Sequence, residues 1–274
     1  MEFVYTEDVP ARDPVLAYYQ TILPFYEKES VARAHLAFWT GLARTWKPKR
    51  ILEMGSGLGR ITSALAKYSP AVGIDISLEM LRLADRRRRS PRARLSFVAA
   101  DMRDRVFDCV FDLVIAPSDP LSHLTRASDR RRVLCAVARQ LARRGRFVLE
   151  ALYRPRRVLL SLDRRIRYRG GELSIRETWK PTEPGSLWRA QYTYHDRTRL
   201  GRERRLTASF VARCWNPNEL DSFFADCGLR VEQLWGDWDR RPFKPDARRL
   251  LVVAGKSKDP SNRPPAARRA RATS

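Results

Sequence analysis

Apolar positions change their spacing twice along this chain. Up to about residue 45 they recur at helical intervals. Val15, Leu16, Tyr19, Ile22 and Leu23 fall on one face, and so do Leu36, Phe38, Trp39 and Leu42. Pro24 is expected to divide the first of these patterns, and Trp46-Lys47-Pro48 marks a stop. From Ile51 short apolar runs alternate with amphipathic stretches. They predict strands at 51–54, 71–75, 95–99, 111–116 and 145–151, and helices at 60–67, 78–87, 127–142 and 217–227. Gly145 reads as the glycine that closes the third of these helices. Strands separated by helices predict a mostly parallel sheet covered on both faces.

After Leu152 the period falls to two. Residues 172–179, 187–195 and 203–211 read as strands with no long helix between them. Pro184-Gly185 and Leu200-Gly201 supply turns. Pro217 then suits the first position of a helix, and Gly228 its end. Leu229–Trp235 and Leu250–Ala254 read as two last strands of the core sheet. The organisation expected is one domain over 1–255, with a core at about 40–152 and 214–255 and a cap from 1–39 and 153–213. Residues 256–274 carry six basic residues, one acid and three prolines, and read as a basic disordered tail.

Composition narrows the classes. The 274 residues are 43% hydrophobic, enough for a sizeable core. No apolar run approaches the ~18 residues of a membrane span. The acidic, proline-broken start does not read as a signal peptide, so a cytoplasmic protein is expected. Four scattered cysteines and three histidines lack metal-ligand spacing, so no metal is expected. The net charge of +23, from 54 Lys+Arg against 31 Asp+Glu, raises the question of a polyanionic partner. Apart from Arg86–Arg89 and the tail, that charge is spread along the chain. A solvated arginine-rich surface is the preferred reading over a localised nucleic-acid footprint.

The chemistry concentrates at Glu53-Met54-Gly55-Ser56-Gly57-Leu58-Gly59, between a predicted strand and a predicted helix. Alternate glycines let a ligand lie against the backbone, facing the free N–H groups of a helix start. The dinucleotide pattern G-x-G-x-x-G fails in both registers, because its sixth position is Arg60 or Thr62. The G-K-[ST] ending of a phosphate-binding loop is absent too. The pattern E-x-G-x-G-x-G instead resembles the first motif of the class I S-adenosylmethionine-dependent methyltransferases. Further matches follow in order. Val72–Ser77 resembles that family's second strand, whose closing acid, here Asp75, binds the ribose hydroxyls, with Ile76 lining the site. Ser77–Leu81 resembles the next helix start, with Met80 as the apolar residue near the adenine. Ala100–Arg103 resembles the loop whose acid, here Asp101 beside Met102, takes the adenine amino group. Phe111–Ala116 and Gly145–Glu150 resemble the fourth and fifth strands.

The resemblance implies a Rossmann-like α/β fold with a seven-stranded, mostly parallel sheet and a small antiparallel β cap after the fifth strand. It implies S-adenosyl-L-methionine bound by Glu53, Gly55, Ser56, Gly57, Gly59, Asp75, Ile76, Met80, Asp101, Met102 and Ala116. It further implies methyl transfer to an N or O nucleophile of a small molecule. The loop Ala116–Leu124 lies where the family places the transferring methyl, and His123 is the first choice for a base or acceptor-positioning residue. Tyr19, Tyr26 and Trp39 are candidates to close over the site. Trp179, Tyr192, Tyr194, Trp215 and Trp238 are candidates to line the acceptor pocket; a plain packing role competes for each of these aromatics. His35 and His195 carry no motif support. Two rivals remain: a nucleic-acid methyltransferase, favoured by the basic surface and tail, and a non-catalytic protein that binds S-adenosylmethionine. Oligomeric state is not legible.

Overall fold

A computed structural model describes residues 14–29, 33–88, 94–154, 160–182 and 186–257. Residues 1–13, Arg89, the Pro184-Gly185 turn and the tail from residue 258 lie outside the described residues. Two helices come first, α1 (Pro14–Tyr26) and α2 (Arg33–Trp46). The core follows as β1 (Ile51–Met54), α3 (Arg60–Leu65), β2 (Ala71–Asp75), α4 (Leu78–Arg86), β3 (Leu95–Ala99), β4 (Phe111–Ala116), α5 (Ala127–Gln140) and β5 (Leu141–Ala151). It resumes with α6 (Leu220–Ala225), β10 (Leu229–Trp235) and β11 (Leu250–Lys256). The seven strands take the order β10-β11-β5-β4-β1-β2-β3, parallel except for β11, which runs antiparallel to both β10 and β5.

Strand alternation builds two apolar layers. Leu52, Met54, Val114, Phe147 and Leu149 face Val133, Leu134 and Val137 of α5 and Phe224 of α6. Ile51, Leu113, Ile115 and Val148 face Trp39 and Leu42 of α2, Leu65 of α3 and Leu81 of α4. Both faces are therefore covered, which is why β1 and β4 read as nearly continuous apolar runs. The insertion is a second sheet of four antiparallel strands in sequence order: β6 (Leu160–Tyr168), β7 (Gly171–Pro181), β8 (Leu187–Thr198) and β9 (Glu203–Arg213). Its inner face, with Leu173, Ile175 and Tyr194, packs on Tyr18, Ile22 and Phe25 of α1.

Three expectations are corrected. Pro24 does not divide the first helix, because it falls in the last turn of α1, where one lost N–H donor is tolerated. Gly145 does not cap a helix. α5 ends at Gln140, whose side chain accepts a hydrogen bond from Phe107 N at 3.0 Å, and Gly145 lies inside β5. There β5 bulges between the pairs Phe111↔Leu141 and Leu113↔Arg146, and a Cβ on Gly145 would meet the Phe111 carbonyl oxygen at 2.9 Å. The cap also has a strand the apolar pattern did not predict, β6. On its inner face Leu160, Ile166 and Tyr168 are partly buried, while Leu162 and Arg164 between them are exposed.

Candidate active site

The carboxyl ends of β1, β2, β4 and β5 open on one edge of the sheet, around the point between β1 and β4 where strand order reverses. β1 delivers the glycine loop there. Gly55, Gly57 and Gly59 all have positive φ, at 68°, 51° and 65°. They serve different purposes. A Cβ on Gly59 would lie 2.3 Å from Phe97 Cζ, so this glycine lets α3 pack on β3. A Cβ on Gly55 would lie 2.6 Å from Pro120 Cβ, so the glycine loop and the loop after β4 are in direct contact. Gly57 N donates to Asp75 Oδ2 at 2.7 Å, and its Cα faces more open space beside Met80 and Tyr26.

Asp75 ends β2, and its Oδ1 accepts from Ser77 N at 2.9 Å. Burial pushes its carboxyl above the ordinary range, against the backbone donors of Ser77 and Gly57. Asp75, Ile76, Met80, Asp101 and Met102, with Gly55 and Gly57, line a small cavity of about 90 Å³. Asp101 is held by Arg103, whose backbone N lies 2.8 Å and Nε 3.0 Å from Oδ1.

A larger cavity of about 600 Å³ lies between the glycine loop, residues 117–123, α1 and the cap. Glu53 faces it, bound by Thr62 Oγ1 at 2.5 Å, with burial pushing its carboxyl up to about 8. Ser56 Oγ is buried there with no hydrogen-bond partner among the described residues. Tyr19, Tyr26, Gly55 and His123 line both cavities. Tyr19 Oη and His123 Nε2 are 3.0 Å apart, and the His123 ring rests 4.5 Å from Phe210 of the cap. Burial keeps the Tyr19 phenol well above its ordinary pKa, so it is a hydroxyl facing the imidazole.

Trp179, Tyr192 and Trp238 also line the larger cavity, as do Tyr194 and Tyr26. Trp39 does not, which corrects its expected place at the substrate. It is fully buried in the α2 face of the core, with Nε1 2.8 Å from His35 Nε2. Ala116 is likewise core, and Gly59 lines neither cavity. Trp215 stands behind the loop, donating to Asp119 Oδ2 at 3.0 Å. His195 sits on the outer face of the cap, 3.1 Å from Glu203.

Four acids and one aromatic at the larger cavity were not singled out from the sequence: Glu29, Glu150, Glu177, Asp119 and Phe210. Glu150 was legible in principle, because it ends a core strand as Glu53 and Asp75 do. Glu29 and Glu177 carried no such signal, since only the folding of α1 and the cap onto the core brings them there. Among the described residues no group of three or more His, Cys, Asp or Glu could hold a metal ion, and no helix is long and apolar enough to cross a membrane.

Residues 51–145, the stretch that builds the glycine loop and the strand-end acids, match the family described as "Methyltransferase domain". Over that stretch the chain is similar to a methyltransferase domain. Its match to the demethylmenaquinone methyltransferase of Porphyromonas gingivalis is 28% identical over 128 residues, covering 40% of this chain and 50% of that protein. With the putative methyltransferase YqeM of Bacillus subtilis identity is 35% over 115 residues, covering 40% and 46%. The chain thus spans about half the length of the curated relatives it matches. Likeness in fold runs further than the sequence match. The CcbJ methyltransferase of Streptomyces caelestis superposes with a TM-score of 0.72 at 19% identity, covering 88% of this chain and 98% of that one. An amino pentose methyltransferase of Micromonospora echinaspora, solved with S-adenosylmethionine bound, gives 0.67 at 21% identity, covering 92% and 100%. The core and its antiparallel cap together therefore share the fold of these solved structures.

Proposed function

We propose that this chain transfers a methyl group from S-adenosylmethionine to an N or O nucleophile of a small molecule. The observation that carries the reading is the pair of cavities sharing the Tyr19–His123 wall. One is lined by the strand-end acids, the other by the cap. The residues suit the donor. Gly55 and Gly57 leave room against the backbone, Asp75 keeps lone pairs for ribose hydroxyls, and Ile76, Met80 and Met102 give apolar faces to an adenine beside Asp101. Glu53 and the unpartnered Ser56 hydroxyl suit the charged amino-acid end, where a cation would return Glu53 to its carboxylate.

S-adenosylmethionine supplies a methyl already activated by its cationic sulfur, so alignment and exclusion of water are what the protein must add. Tyr19 and Tyr26, from α1, screen the junction of the cavities, and Phe210 backs His123 from the cap. His123 Nε2, facing the Tyr19 hydroxyl, is placed to orient the acceptor or take its proton. Trp179, Tyr192 and Trp238 give the acceptor aromatic walls. A cavity of about 600 Å³ matches a small metabolite rather than a polymer. The net charge of +23 supports the second reading, a nucleic-acid acceptor.

Calorimetry with S-adenosylmethionine and S-adenosylhomocysteine tests the donor site. Binding to the parent and a loss of about tenfold or more in Asp75→Ala are expected, from the deletion of a charged hydrogen-bond acceptor. No binding to the parent, or equal binding to both, overturns the reading. Release of S-adenosylhomocysteine in the presence of small amines and alcohols then tests the acceptor class.

A further inference from the structure

We propose that Glu150 is a positioning residue for methyl transfer, holding the loop that presents His123; the proposal rests on the reading above. Ser118 and Asp119 begin this loop with φ of 57° and 46°, and neither is glycine. Two consecutive left-handed residues persist only where their surroundings hold them. The support is a reciprocal clamp to the end of β5. Ser118 N donates to Glu150 Oε2 at 2.9 Å, and Leu152 N donates back to Asp119 Oδ2 at 2.6 Å. On its other side the loop is stopped by Pro120 against Gly55. One short turn, Pro120–His123, then delivers His123 to Tyr19.

Glu150 is built for this task by its partners. His35 Nε2 lies 2.8 Å from Oε2, Trp238 Nε1 donates to Oε1 at 3.1 Å, and Arg249 stands 3.7 Å from Oε1. Trp238 is itself stacked between His35, at 4.8 Å, and Arg249, at 3.5 Å. Donors thus reach one buried carboxylate from the 117–123 loop and from the connection between β10 and β11, with the His35 imidazole of α2 beside them. Burial raises the carboxyl's pKa, but His35, Ser118 N and Arg249 outweigh it and hold the group below its ordinary range. Both oxygens face donors, so a neutral amide cannot replace it: its NH₂ end would point at one of them.

The chain has three histidines, which makes ring NMR a direct test. Labelled parent, Glu150→Gln and Glu150→Asp are compared with and without S-adenosylhomocysteine. In Glu150→Gln the His123 ring resonances are expected to shift, those of His195 to stay, and S-adenosylhomocysteine affinity to remain within about twofold. Adding Ser118→Gly, which adopts positive φ without support, is expected to move the His123 signals back towards the parent. Glu150→Asp keeps the charge but withdraws it from Ser118. It gives the same shift at smaller amplitude and carries the test where the Gln variant does not fold. Unchanged His123 resonances in a folded variant with altered His35 signals overturn the proposal, as does failure of Ser118→Gly to restore them. Absence of S-adenosylhomocysteine binding to the parent overturns the methyltransferase reading instead, and leaves the His123 comparison to be read on its own.

Discussion

A buried glutamate without a cation beside it leaves a trace in stability. Glu53 has an ordinary value of 4.5 and is pushed up to about 8 by burial. Between those values the folded chain retains a proton that the unfolded chain has released, so its contribution to stability falls as pH rises from 4.5 to 8. Glu53→Gln keeps an oxygen for Thr62 and removes the titration. The ligand-free variant is expected to melt about 5 °C above the parent at pH 8 and level with it near pH 5, by scanning calorimetry. A variant no more stable than the parent at pH 8 would show that Glu53 is charged in the free protein. At this scale the sequence was most informative where chemistry depends on place along a strand. Glu53 lies near the end of β1, Asp75 ends β2 and Asp101 follows β3, and each lines one of the cavities. Trp39 shows the converse. A tryptophan beside helical leucines has the same pattern whether it faces a ligand or the core, and only packing separates the two.

Elements explain which of the alternate glycines matter for what. In the unit β1–loop–α3 the third glycine belongs to packing, since Phe97 Cζ and Ala84 Cβ would stand 2.3 and 3.0 Å from its Cβ. Gly59→Ala also puts a side chain at φ 65°. A loss of about 2 kcal/mol or more in urea unfolding is expected, as for overpacked cores with backbone strain. A loss below about 0.5 kcal/mol, the range of ordinary surface changes, would contradict that packing role. The core elements were legible because the central strands β1 and β4 are apolar on both faces and the helices on one. The corrections all sit where a local signal had two meanings. Gly145 relieves a close backbone approach instead of a left-handed cap, and Pro24 is harmless at the end of a helix. β6 was hidden because Arg164, paired at 3.2 Å with Glu29, occupies an inward position where the pattern asks for an apolar residue.

At the scale of the molecule, the charge and the cavity point to different partners, and an experiment can separate them. Retention of RNA by the purified protein is expected to fall steeply with salt and to vanish when the chain is cut after Lys256, with S-adenosylhomocysteine affinity unchanged. Retention that survives the cut would move attention to the outer face of the cap, where Arg165, Arg167, Arg176, Lys180, Arg189, Arg197 and Arg205 are exposed. The cap's existence was readable from its period-two stretches; its closeness to the core was not, because that depends on α1. This helix supplies Tyr19 and Tyr26 to both cavities. It continues into Lys28, which pairs with Asp196 of the cap beneath the Tyr168 hydroxyl, itself 2.7 Å from Asp196. The helix therefore walls one side of both cavities. The Lys28–Asp196 pair ties the end of α1 to the cap. Stopped-flow dissociation of S-adenosylhomocysteine is expected to be about threefold or more faster in Lys28→Ala than in the parent, with solvent viscosity slowing both. Equal rates would show that the pair does not hold α1 over the bound nucleoside; a faster rate would show that it does.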